Sequence, residues 1–243
     1  MNRCYEKNLL VEYSYCDPHN RMTLTYLLKE AQQISMEHCD RIGLGKQHLL
    51  ELNKVFLLAK LRVRVHRMPL GGELVTIKTL PYMPVRLQYP RFTELYDRDG
   101  KLLVEIDSRW ILVDTVTRRI VRRPPPELPL EFPSLDTLED WKPERPESLV
   151  PIGQEKVRYS MTDSNGHLNN AVYADLACNQ AEEALVAGSP VRRFTIFYHH
   201  EALYGQTVAL SAAREGNAYF LTGALPDGLC FESKLELEEL ESK

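Results

Sequence analysis

Cysteine is scarce and scattered. The 243 residues hold five, at 4, 16, 39, 178 and 230, with no CxxC pair. An odd, unpaired set argues against a disulfide framework and a structural zinc site, so reduced thiols are expected. No run approaches the roughly 20 apolar residues of a membrane span. The opening "MNRCYEKNLLVEYSYCDP" puts charges inside its first apolar patch and has no signal-peptide core. A cytoplasmic protein is the expectation. Basic excess is missing too: 30 Lys and Arg stand against 34 Asp and Glu, a net charge of -4. Nucleic acid is therefore not an expected partner. What remains, 44% hydrophobic and 26% charged, is an ordinary globular composition long enough to bury a core.

Proline gathers in one place, "RRPPPELPLEFPSLDTLEDWKPERPESLVP", residues 122–151. Proline lacks a backbone donor and opposes helix and central strand alike. The stretch reads as a linker draped over the surface. It divides the chain into residues 1–121 and 152–243.

The two parts resemble each other. Each starts with a short strand-like piece, reaches an aspartate (Asp17 or Asp163), crosses a polar loop and enters a helical pattern. Leu24, Leu27, Leu28, Ala31 and Ile34 keep helical spacing in the first. Val172, Leu176, Ala177, Ala181, Ala184 and Leu185 do so in the second, ended by Gly188 and Pro190. Strand-like runs follow in both, with a hairpin expected at "DRDGK", where Asp-Gly suits a tight turn. "VHRMPLGGELVTI" aligns with "FYHHEALYGQTVAL", setting Gly72 against Gly205 and Met68 against Glu201. The expected fold class is α+β, a tandem in which each half is one long helix covering an antiparallel sheet.

The segment "DSNGHLNNAVY" and the later "YHHEALYGQTV" carry Asp163, Asn165, His167, Asn169, Asn170, Tyr173, Tyr198 and Glu201. In this spacing they resemble the acyl-acyl carrier protein (ACP) thioesterases of plants and bacteria. "SRWILVDTVTRRIVRRPPPE" resembles that family's tryptophan strand and basic turn. The resemblance implies a double hotdog fold and hydrolysis of fatty acyl thioesters on ACP, without cofactor or metal. It implies catalytic roles for Asp163, Asn165, His167 and Glu201, and substrate contacts from Asn169, Asn170 and Tyr173. The first half would then hold the acyl chain, with Leu24, Leu27, Leu28, Leu57, Leu58 and Leu61 offered for a tunnel. Two departures stand out. Ala202 occupies the place where many plant members have cysteine. No transit peptide precedes the match, which points to a bacterial source.

The residue types suit the chemistry. Thioester hydrolysis needs a positioned water, a base, and donors for the developing oxyanion. Glu201 or Asp163 could be the base, and the sequence leaves that choice open. His167 could orient water or relay a proton. Asn169 or Asn170 sits where a helix N-cap belongs. Cys178 is the rival nucleophile, without a supporting motif. Against all this, Asn, Asp, Gly and His before a helix are also ordinary turn and cap residues. The asymmetry between halves favours function, because a set serving only the fold should recur in both. Arg118, Arg119, Arg122 and Arg123 could steer an acidic carrier, or simply decorate a solvated turn. An acyl-CoA thioesterase and a catalytically silent acyl-binding module remain alternatives, and a homodimer is left open.

Overall fold

The computed structural model describes Cys4–Glu239. Ten strands form one antiparallel sheet in the order β1-β3-β4-β5-β2-β7-β10-β9-β8-β6. In the first half these are β1 (Tyr5–Leu10), β2 (Lys54–Val65), β3 (Leu74–Pro81), β4 (Tyr89–Tyr96) and β5 (Leu102–Asp114). In the second they are β6 (Val150–Lys156), β7 (Val191–Tyr198), β8 (Thr207–Glu215), β9 (Ala218–Leu225) and β10 (Gly228–Leu237). Read outward from the β2·β7 seam, both halves have the same order, so the sheet is two copies joined back to back. The seam pairs Lys60 with Phe197 through Arg64 with Arg193. The double hotdog expected from the sequence is the observed fold, and the hairpin at "DRDGK" joins β4 to β5, with Gly100 at φ 79.

Helix α1 (Leu24–Arg41) begins where the Thr23 hydroxyl accepts the Tyr26 N–H, and ends before Gly43 at φ 75. Its expected stripe, Leu24, Leu27, Leu28, Ala31 and Ile34, is buried. Each such leucine removed from water contributes roughly 1.5–3 kcal/mol. A short α2 (Lys46–Glu51) follows, anchored through Leu44 and Leu49 in a smaller cluster with Tyr89, Leu112 and Leu128. The second half differs from the single long helix its stripe suggests. It divides into α3 (Val172–Asn179) and α4 (Glu182–Val186). The break has a local cause. Gln180 and Ala181 donate to the carbonyls three residues back, and Ala181 leaves helical geometry at φ -113, ψ 15. No described helix is long and apolar enough to cross a membrane.

Between β5 and β6 the chain forms neither helix nor strand. It straps the seam. Trp141 is buried edge-on against Phe197, with the Lys60 ammonium 4.4 Å from its ring and donating to its carbonyl at 2.7 Å. Ion pairs Arg62–Glu139, Lys234–Glu144 and Arg145–Glu232 tie the strap to β2 and β10.

One buried group makes stability depend on pH. His38, only 2% exposed, accepts from Arg91 at Nδ1 and leaves Nε2 without a partner. Burial, with help from Arg91 and Arg41, lowers its pKa to about 4. An unfolded histidine titrates near 6.5. The unfolded chain therefore binds the proton first as pH falls, and the folded state loses stability between about 6.5 and 4. Urea unfolding should show a loss on the order of 2 kcal/mol from pH 7 to 4.5 beyond that of a His38→Gln variant. Parallel losses in the two proteins would remove His38 from the account.

Candidate active site

The loop 163–170 is built by Asp163. Its Oδ1 accepts the backbone N–H of Asn165 at 2.8 Å and of His167 at 3.3 Å. The Asp163 N–H returns to the His167 carbonyl at 2.9 Å. Asp17 does the same work in the first half, accepting from His19 and Arg21, each at 2.9 Å. The aspartates are therefore anchors of a repeated turn, and the residues hung on the turn make the difference.

The bridges that close the two turns confirm the register. His167 pairs with Leu203 as Arg21 pairs with Leu70, so Met68 is the counterpart of Glu201. Gly72 and Gly205 make the same left-handed turn, at φ 83 and 85. On the first-half loop, Arg21 binds Asp17 at 2.7 Å and donates to the Gly188 and Leu185 carbonyls at the end of α4. His19 donates to the Val186 carbonyl at 2.9 Å. That position is plugged by its own side chains.

On the second-half loop, His167 replaces the arginine and faces Glu201, with Nε2 3.4 Å from Oε2. His167 is 28% exposed at its side chain and Glu201 53%, so the pair is open to water. His199 turns away to Glu232 at 2.8 Å. Asn165 places Nδ2 3.4 Å from Asp163 Oδ2, and its Oδ1 accepts from Lys46 of α2 at 2.9 Å. Lys46 carries no functional motif, and the sequence gives no sign of this contact. Asn169 holds the turn ahead of α3: its Oδ1 accepts the N–H of Ala171, the residue before Val172, at 2.8 Å. It occupies the position of Thr23, the N-cap of α1.

Beside this loop lies a narrow cleft, open to solvent. Asn170, Ala171 and Tyr198 line one part of it. The rest is first-half structure, including Leu28 and Gln32 from α1, Leu58 and Leu61 from β2, and Trp110 from β5. The Tyr198 hydroxyl donates to the Asn170 carbonyl at 2.8 Å, fixing the mouth. Of the leucines offered for a tunnel, Leu28, Leu58 and Leu61 line the cleft, Leu24 and Leu27 belong to the core, and Leu57 is in neither set. Tyr173 is 2% exposed and packs edge-on to Tyr198 and Phe231. Its position is behind the cleft wall, where burial pushes its phenol pKa up.

Cys178 is unpaired, and burial, then Asp175, pushes its thiol up to about 12. It is a protonated thiol at neutral pH. Arg118, Arg119, Arg122 and Arg123 are exposed. Their turn is tied by Thr115 N–H to the Asn53 carbonyl, just beyond α2. Asp114 fixes it, with a carboxyl held well below its ordinary range by Lys54 and Thr117. Helix α2 thus links the arginine turn at one end to Asn165 at the other, and its six residues rise only about 9 Å. Among the described residues no cluster of three or more His, Cys, Asp or Glu could hold a metal ion.

Comparison with known proteins gives consistent matches. The model of the acyl-ACP thioesterase N-terminal domain matches residues 2–128, and that of the C-terminal domain residues 150–225. A chloroplastic dodecanoyl-[acyl-carrier-protein] hydrolase of Cinnamomum camphora is 21% identical over 239 residues, covering 91% of this chain and 60% of the plant protein. A chloroplastic oleoyl-acyl carrier protein thioesterase of Arabidopsis thaliana is also 21% identical, over 81% of this chain and again 60% of its own length. The chain thus spans about three-fifths of the length of these relatives. Two solved structures share the fold end to end. One is an acyl-ACP thioesterase from Bacteroides thetaiotaomicron, with TM-score 0.87, 22% identity and 98% coverage of both chains. The other is a 12:0-ACP thioesterase from Umbellularia californica, with TM-score 0.83, 15% identity and the same coverage.

Proposed function

The chain belongs to the acyl-ACP thioesterase family, and from that premise and the site geometry we propose that it hydrolyses fatty acyl-ACP by direct attack of water. The observation that carries this is the asymmetry between pseudo-equivalent loops. One presents an open His167–Glu201 pair beside an apolar cleft, and the other holds Met68 and a plug of Arg21.

Glu201 is the base. Asp163 is less suited, because its Oδ1 already accepts two backbone N–H groups and its Oδ2 faces an amide. Glu201 takes a proton from water while His167 orients the pair. The water oxygen bonds to the thioester carbon, and Asn165 donates to the oxygen on which charge develops. The C–S bond then breaks, and the proton passes to the departing carrier thiolate. The acyl chain lies in the cleft between α1 and the first-half sheet, with Asn170 in the wall nearest the loop, Tyr173 backing that wall through Tyr198 and Asn169 fixing the turn beside it. In this reading residues 1–121 hold the chain, 122–151 join the halves and 152–243 carry the chemistry. The test is release of free acid from acyl-ACP and acyl-CoA of equal chain length. A higher kcat/KM on ACP supports the reading. A preference for CoA would reassign the substrate, and no release from either would leave an acyl-binding module.

The arginine turn gives the carrier an electrostatic approach. Attraction between exposed charges is screened beyond about 10 Å at 0.1 M salt. Raising salt should lower kcat/KM for acyl-ACP more than for a short uncharged thioester. Arg118→Glu with Arg122→Glu should cost about tenfold or more on acyl-ACP alone. Equal losses on both substrates would mean damage to the site, and no loss would make the turn mere solvated surface.

A further inference from the structure

Asn165 is named by the motif, but its motif says nothing about which way its amide points. The two ends of a carboxamide are chemically opposite: the oxygen only accepts and the nitrogen only donates. Two neighbours decide the orientation independently. The Lys46 ammonium has donors alone, so at 2.9 Å it requires the amide oxygen. The Asp163 carboxylate has acceptors alone, so at 3.4 Å from Oδ2 it requires the amide nitrogen. Both demands agree. With one Oδ1 lone pair taken by Lys46 and one Nδ2 hydrogen by Asp163, a single N–H remains uncommitted.

The lysine is placed by rigid structure. Leu44 and Leu49, on either side of it in sequence, are buried in the α2 cluster. Gly45, the residue before it, lies so close to Asp40 that a Cβ there would meet the carboxylate. The start of α2 therefore has a fixed seat at the end of α1. Lys46 has no carboxylate within ion-pair distance among the described residues. The contact also has a counterpart across the pseudo-twofold. His19, two residues beyond Asp17 as Asn165 is beyond Asp163, donates to Val186 of the opposite half. In both loops this position bridges the halves.

We propose that Lys46, from the first half, is a positioning residue that locks the Asn165 amide with its N–H towards the substrate. The assignment rests on the acyl-thioesterase reading above, and it sharpens it. Asn165 then serves as a donor to the thioester oxygen through that N–H, while Lys46 holds one lone pair of its amide oxygen. A cation on the amide oxygen also polarises the amide, strengthening its remaining N–H as a donor. The catalytic site is thus completed across the halves, by a residue outside every sequence motif.

The test uses Lys46→Met and Lys46→Arg in the full chain, each also combined with Asn165→Ala. Lys46 is exposed, so both variants should fold with unchanged melting temperature. On acyl-ACP, Lys46→Met should lower kcat about tenfold with KM unchanged, and Lys46→Arg should restore most of it. In the Asn165→Ala background, Lys46→Met should cost nothing further, since its effect travels through that amide. A second readout needs no turnover. In ¹⁵N-labelled protein, the Asn165 side-chain NH₂ resonances should move in Lys46→Met and stay near their original place in Lys46→Arg. An unmoved amide, an equal kcat loss in both backgrounds, or a rise in KM alone would overturn the proposal. A protein with the expected amide shift but no activity on any acyl thioester would instead retire the functional reading and leave the contact standing.

Discussion

Glu201→Gln should lower kcat on acyl-ACP by about 10²-fold or more, the scale expected for loss of a general base. Glutamine keeps the shape of the side chain and removes its basicity. Glu201 is half exposed and contributes little to packing, so the variant should melt with wild-type protein. KM should change little, because Glu201 does not line the cleft proposed to hold the acyl chain. His167→Ala should follow the same pattern with a smaller loss, since Nε2 is the group within 4 Å of the carboxylate. Steady-state kinetics with a thermal melt of each variant checks this. A Glu201→Gln enzyme within a factor of a few of wild type would move the base elsewhere, with Asp163 next in line.

The second large effect separates chemistry from scaffolding. Asp163→Ala removes the acceptor for the Asn165 and His167 N–H groups, so the loop should lose its form. Turnover should fall about 10²-fold or more, with a stability loss of roughly 1–2 kcal/mol for the two orphaned donors. Asp17→Ala should cost at least as much stability, because Asp17 holds two backbone N–H groups and the Arg21 side chain. Yet it should leave kcat near wild type, since that loop carries no counterpart of the His167–Glu201 pair. Equal turnover losses from the two changes would mean that both loops serve one site.

Much of this was legible before any coordinate. The repeat shows in the sequence because each half must build the same turn, and a turn that needs an aspartate and a left-handed glycine leaves both at matching places, as at Asp17 with Gly72 and Asp163 with Gly205. The contrast of Met68 with Glu201 follows from that register. The loop residues are contiguous, so their spacing alone brings Asn165, His167 and Asn169 together. Contacts made over long separations left no such trace. Lys46 meets Asn165 across 119 residues, and Arg21 meets Gly188 across 167. The break at Gln180–Ala181 was hidden for another reason: alanine continues a helical stripe on paper, while the backbone tightens through short-range bonds that the pattern does not register. Asp163 shows the opposite case. Its residue type and place in the motif fit a base as well as an anchor, and its hydrogen bonds to Asn165 and His167 are the ground for proposing the anchor.

The most direct test of hydrolysis by water at the second-half loop is a single turnover of acyl-ACP in H₂¹⁸O, quenched rapidly and followed by mass spectrometry of acid and protein. The account predicts one ¹⁸O atom in the released fatty acid, an unmodified protein mass at every time point, and no comparable turnover by Glu201→Gln. An acyl adduct on the protein, on Cys178 or any other residue, or labelled acid released by Glu201→Gln at the wild-type rate, would contradict it.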